Sequence, residues 1–141
     1  MQHVTARGVS VPALGLGTWP MRGQQCREVV ERALALGYRH VDTAQMYENE
    51  AAVGAAVRAS DVPRDEIFVV TKVLPANLER EALLASVRES LDRLDTYIDL
   101  LLIHAPRAAV PIPESIGAMN DLQAGGDVDH IGVSNFGIAQ L

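Results

Sequence analysis

The segment Tyr38–Gly54, "YRHVDTAQMYENEAAVG", runs from a short apolar strand pattern into an acid and a phenol and then into an alanine-rich helix. An Asp and a Tyr at the end of a strand are poor core material. They read either as solvated loop residues or as chemistry placed at a strand terminus. The same pattern recurs outward in both directions. Five short apolar runs, "VPALGLGTW" (11–19), "YRHVDTA" (38–44), "IFVVTK" (67–72), "YIDLLLIH" (97–104) and "HIGVSNF" (130–136), each end in polar residues.

Helical spacing fills the gaps between these runs. In "NLEREALLASVRESLDRL" (77–94), Leu83, Val87, Leu91 and Leu94 share one face, and Asn77 is the expected N-cap. "QQCREVVERALALGY" (24–38) turns Val30, Ala33 and Leu34 inward and should stop at Gly37. "ENEAAVGAAVRAS" (48–60) is a third helix, and "PESIGAMNDLQAGG" (113–126) a weaker fourth, diluted by Gly117 and stopped by Gly125 and Gly126.

Thirty residues separate Asp42 from Lys72 and 32 separate Lys72 from His104, about one βαβ step each. Continuous apolar strands alternating with helices predict a parallel sheet. "HVTARGVSVPAL" (3–14), with Arg7-Gly8 between two β-prone stretches, predicts a small leading hairpin. Both a doubly wound sheet and a (β/α)8 barrel satisfy this order. A dinucleotide fingerprint would favour the first, but "GLGTWP" (15–20) has only Gly15 and Gly17 and places Pro20 where a third glycine belongs. The barrel is therefore the expected fold, with chemistry at the carboxyl ends of its strands.

Asp42, Lys72 and His104 end or closely follow three separate strand runs, and Tyr47 lies just beyond the first of them. In a parallel barrel these ends share one face. A phenol is a poor acid at neutral pH, and a neighbouring ammonium is expected to lower its pKa. An Asp would hold that ammonium charged and oriented, and a His could orient a carbonyl. Together they make a proton donor for carbonyl chemistry.

"ALGLGTW" (13–19), "GYRHVDTAQMYENEAAVG" (37–54), "FVVTK" (68–72), "SLDRLDTYIDLLLIH" (90–104) and "IGVSNF" (131–136) together resemble the aldo-keto reductases in order and spacing. Within that family the closest likeness is to the bacterial 2,5-diketo-D-gluconate reductases, which also reduce methylglyoxal. The resemblance implies an oxidoreductase that reduces small or sugar-derived aldehydes and ketones to alcohols with NADPH (NADP+). Its catalytic tetrad would be Asp42, Tyr47, Lys72 and His104. It further implies cofactor contacts at Thr18, Asp42, Ser134 and Asn135, and a substrate pocket lined by Trp19, Tyr47 and His104. Many relatives have Trp after the histidine; here Ala105 in "HAPR" is expected to open that side of the pocket.

A whole barrel takes about 250 residues, whereas this chain has 141 and ends soon after the fifth barrel strand. The expectation is one partial barrel domain, residues 1–141, holding the hairpin and about five βα strands. The family's later cofactor segments would be missing. Open strand edges would favour self-association. A non-catalytic half-barrel is the competing reading. A metal-assisted hydrolase is a third, weakened because Lys72 falls between His104 and Asp42, the only ligands on offer.

Other residues carry ordinary readings. His3, His40 and His130 have no partner at metal-ligand spacing, so no metal site is expected, and Cys26 reads as a small packed residue on a helix. The composition, 48% hydrophobic and 21% charged, is that of a globular chain. A net charge of −6 disfavours nucleic acid and anionic membranes as partners. One cysteine allows no intrachain disulfide, and "MQHVTARG" has no apolar signal segment, so a reducing cytoplasm is the expected compartment.

Overall fold

The computed structural model describes residues 2–140. Strands β1 (His3–Ala6) and β2 (Val9–Pro12) pair antiparallel across a two-residue turn. Arg7 and Gly8 both take positive φ, 48° and 85°, the backbone twist that a tight hairpin requires. Beyond it, β3 (Leu16–Gly17), β4 (His40–Asp42), β5 (Phe68–Val73), β6 (Ile98–Ile103) and β7 (Val128–Val133) form one parallel sheet in sequential order. The connecting helices are α1 (Gly23–Ala35), α2 (Glu50–Ala59), α3 (Arg80–Leu94) and α4 (Ile112–Gly125).

That order decides between the two architectures. A doubly wound sheet reverses direction at a switch point and carries helices on both faces. Here no strand is out of sequence, and α1 packs on α2, α2 on α3 and α3 on α4. Right-handed crossovers all made in one direction put every helix on the same side, which is the winding of a barrel wall.

Alternation along the strands then separates two layers. Val41, Val69, Val73, Leu101 and Ile103 join Val30, Leu34, Val53, Leu83, Val87 and Met119 in the core between sheet and helices. The other face carries His40, Asp42, Phe68, Val70, Lys72, Leu100 and Leu102, in the registers His40–Phe68, Asp42–Val70, Val70–Leu100 and Lys72–Leu102. Phe68 and Val70 are buried there, while Leu100 and Leu102 stay half-buried.

Helix α1 ends as expected: Gly37 has φ 98°, and Tyr38 N–H reaches back to the Ala33 carbonyl. Gly54 has a different reason. A Cβ built there would lie 2.1 Å from the Leu94 carbonyl oxygen, so glycine lets α2 meet the end of α3 at backbone distance. Asn77 is a correction. It closes a 3-10 turn, Pro75–Asn77, and α3 starts later, with Glu79 at the N-cap position. The Arg80 N–H is capped instead by the Glu114 carboxylate of α4, 3.0 Å away.

Candidate active site

Three strand ends and one turn converge. Asp42 ends β4, Lys72 lies near the end of β5, His104 follows β6, and Tyr47 ends a 3-10 turn, Gln45–Tyr47, between β4 and α2. Lys72 is 7% exposed, and a charge so buried must be paired. Its ammonium lies 2.7 Å from the Asp42 carboxylate, 2.9 Å from the Thr43 carbonyl and 3.4 Å from the Tyr47 hydroxyl oxygen. Its three donors thus have three acceptors, one of them the phenol.

His104 packs edge-on against Tyr47, ring centroids 5.7 Å apart. Its Nδ1 is buried and has no hydrogen-bond partner among the described residues. A buried N–H without an acceptor is costly, so the proton belongs on Nε2. Burial pushes the imidazole pKa below its ordinary value, the Lys72 charge adds to that, and the Asp42 carboxylate opposes it. His104 is accordingly a neutral imidazole with a single N–H, which suits it to donate to a carbonyl oxygen. The ammonium seated on the Asp42 carboxylate occupies the ligand that a metal-assisted reaction would need.

Trp19 is 57% exposed and its ring lies 5.3 Å from that of Tyr47, so an apolar plate flanks the phenol on the open side. Thr18 lies behind Asp42. It is fully buried, its hydroxyl donates to the Asp42 carbonyl at 2.9 Å, and it accepts from the Asn49 amide at 3.1 Å. In this arrangement the hydroxyl holds the backbone beneath Asp42.

Asn49 and Gln45, to which sequence patterns assign no role, support the tetrad from behind. Asn49 is buried and bridges the Thr43 hydroxyl to the Thr18 and Met21 carbonyls, joining the loop that carries Trp19 to the loop after Asp42. Gln45 ties the Tyr47 turn to α3 and to the segment after β5. Polar residues between a strand and a helix look like ordinary loop composition, and only their long-range hydrogen bonds distinguish them.

Ser134 and Asn135 follow β7. The Asn135 amide donates to the His104 carbonyl at 2.7 Å and to the Ser134 hydroxyl oxygen at 3.1 Å. Asn135 Oδ1 and the Ser134 hydroxyl hydrogen have no partner among the described residues. This acceptor and donor, side by side, match the two halves of a primary carboxamide. Ala105 is half-buried beside His104. His40 Nδ1 lies 3.0 Å from the carbonyl of Pro12, 28 residues before it, and Cys26 is fully buried in the core. A cavity of about 420 Å³ opens at the opposite ends of the strands, lined by His3, Arg39, Phe68 and Asp99 among others, and holds no tetrad residue.

A barrel wall with a Lys–Asp pair and a phenol gathered at its strand ends defines a class, and the Aldo/keto reductase family profile matches residues 13–141. The chain belongs to that family. Over 133 residues it is 44% identical to methylglyoxal reductase DkgB of Yersinia pestis, covering 92% of this chain and 50% of the relative. DkgB of Salmonella typhi is 45% identical over the same length. A crystal structure carrying the name 2,5-diketo-D-gluconic acid reductase B superposes with a TM-score of 0.96 at 48% identity, over 99% of this chain and 50% of that one. An aldo/keto reductase from Brucella melitensis gives 0.94 at 38% identity, over 99% and 56%. The chain spans about half the length of the curated relatives it matches, and the fold it shares with the solved structures is the wall of an aldo-keto reductase barrel.

Proposed function

We propose that this chain carries the proton-transfer site of an NADPH-dependent carbonyl reductase acting on small or sugar-derived aldehydes and ketones. The observation that carries the proposal is the buried Lys72 ammonium shared between the Asp42 carboxylate and the Tyr47 hydroxyl, with His104 alongside. Tyr47 holds the proton destined for the substrate oxygen. Lys72 stabilises the negative charge that grows on the phenol oxygen as that proton leaves, and Asp42 keeps the ammonium charged and aimed. His104, neutral with its proton on Nε2, donates a hydrogen bond to the same substrate oxygen and fixes its direction. Trp19 covers the apolar side of the substrate. The names of the relatives support methylglyoxal or a diketo sugar acid as the kind of substrate.

The residues present fit a nicotinamide. Asn135 Oδ1 and the Ser134 hydroxyl offer the acceptor and donor that its carboxamide complements, and the Asn135 bond to the His104 carbonyl couples this grip to the tetrad. When bound, the cofactor supplies the hydride that reduces the carbonyl carbon. A cytoplasmic location accords with this reading.

The test is a titration with NADPH followed through the emission of Trp19, the single tryptophan. Saturable quenching is expected, weakened about fivefold in Asn135→Ala by loss of a carboxamide hydrogen bond worth about 1 kcal/mol. Absence of saturable binding, or an Asn135→Ala variant that binds as tightly, would overturn the cofactor assignment.

A further inference from the structure

We infer that Gln45 is the positioning residue of this site: its carboxamide fixes the turn that carries Tyr47 to α3 and to the segment that follows the Lys72 strand. The inference rests on the proton-donor role proposed for Tyr47 and extends it to a residue that touches neither substrate nor cofactor.

The Tyr47 hydroxyl has one hydrogen-bond partner among the described residues, the Lys72 ammonium at 3.4 Å, and that long contact cannot by itself hold the ring in place. The turn must be held elsewhere. Gln45 opens the turn, two residues before Tyr47, and all four hydrogen-bonding capacities of its amide are used. Oε1 accepts from the Leu74 backbone N–H at 2.9 Å and from the Asn77 amide at 3.3 Å. Nε2 donates to the Ser86 hydroxyl at 3.1 Å and the Ser90 hydroxyl at 3.2 Å. Leu74 lies two residues after Lys72, just past the end of β5, so the bridge runs from the phenol's turn to the segment that leaves the ammonium's strand.

The chemistry of these partners selects a carboxamide. Ser86 donates its own hydrogen to the Leu83 carbonyl and Ser90 donates to the Ser86 carbonyl, both inside α3. Both serines are buried and can only accept from Gln45. The Leu74 N–H can only donate to it, and the Asn77 amide nitrogen donates to the same oxygen. A carboxylate would satisfy the second pair and set its other oxygen against two acceptors; an apolar side chain would satisfy neither. Of the side chains long enough to span the gap, Gln alone presents an acceptor to one side and two donors to the other.

The experiment reads the position of the phenol directly, with no dependence on turnover. The chain has three tyrosines, Tyr38, Tyr47 and Tyr97. Only the Tyr47 ring lies against two other rings, Trp19 at 5.3 Å and His104 at 5.7 Å, so its ring resonances are displaced by their ring currents. In tyrosine-labelled protein, with Tyr47→Phe providing the assignment, Gln45→Met is expected to move the Tyr47 signals and leave those of Tyr38 and Tyr97 in place. Ser86→Ala combined with Ser90→Ala, which removes the two acceptors and keeps Gln45, is expected to move the same signals in the same direction by less; it decides the matter if Gln45→Met does not fold. Tyr47 signals unchanged in the folded variant would overturn the inference. With NADPH and methylglyoxal, Gln45→Met should lower kcat about ten- to a hundredfold while leaving NADPH affinity unaltered. A wild-type chain without turnover would count against the reductase reading alone, because the tyrosine resonances decide the positioning role independently.

Discussion

Removing the Asp42 carboxylate leaves a buried ammonium facing two neutral acceptors, and the size of the effect follows from the geometry. At 2.7 Å and an effective dielectric of about 20, the gross attraction between the two charges is about 6 kcal/mol. Desolvation of the Lys72 side chain, 8% exposed, offsets much of that, while the Asp42 side chain, 32% exposed, retains part of its hydration. Breaking a fully buried pair costs about 3–5 kcal/mol and breaking a surface pair about 0–1 kcal/mol, so this pair lies between. Asp42→Ala should therefore destabilise by about 2–3 kcal/mol and Lys72→Met, which strands the better hydrated partner, by about 1–2 kcal/mol. The double variant strands no charge and should lose about 1–2 kcal/mol, well short of the sum. Urea unfolding of the four proteins, followed by circular dichroism at neutral pH, gives the coupling directly. A coupling near 2 kcal/mol is expected; additivity within about 0.5 kcal/mol would show that the two side chains act independently and would refute the description of Lys72 as a charge held by Asp42.

Gly54→Ala opposes two effects. Helix propensity favours Ala by about 1 kcal/mol, but its Cβ would meet the Leu94 backbone at 2.1, 2.7 and 2.8 Å, so α2 and α3 must separate. With overpacking at about 1–3 kcal/mol, a net loss of up to about 2 kcal/mol in urea unfolding is expected; a more stable Ala variant would show that the helices do not pack this closely. His104 gives a pH signature. Its folded pKa is depressed, so between that value and the ordinary 6.5 the unfolded chain binds the extra proton. Its contribution to stability is complete above 6.5 and is lost as pH falls through the window below. The urea midpoint of the wild type should drop over that range and that of His104→Gln should drop less; parallel curves would mean that the imidazole is not shielded.

The convergence of Asp42, Lys72 and His104 could be read from sequence because each ends or closely follows an apolar run, and because the lengths between them match one crossover each; Tyr47 lies just beyond the first run. Hairpin, helices and parallel strands followed from the same local signals. What stayed hidden depends on contacts between distant segments. Asn77 had the composition of a cap, yet Pro75 starts a separate turn and Glu114, 34 residues beyond Arg80, supplies the cap for α3. Thr18 stands beside the site in sequence like a ligand-binding hydroxyl, and only the approach of Asn49, 31 residues on, shows that its side chain is committed inward. The role of Gln45 rests on Ser86 and Ser90, 41 and 45 residues away, whose hydrogens are already taken by their own helix. No local pattern carries that information.

The most direct test of the central claim compares the chain with its Tyr47→Phe variant in two measurements on the same samples, NADPH affinity and NADPH oxidation in the presence of methylglyoxal. Loss of the phenol hydroxyl should leave affinity unchanged and lower turnover by about 10²–10⁴-fold, the share of rate that a positioned acid supplies. Equal turnover in the two proteins would contradict the assignment of Tyr47 as the proton donor.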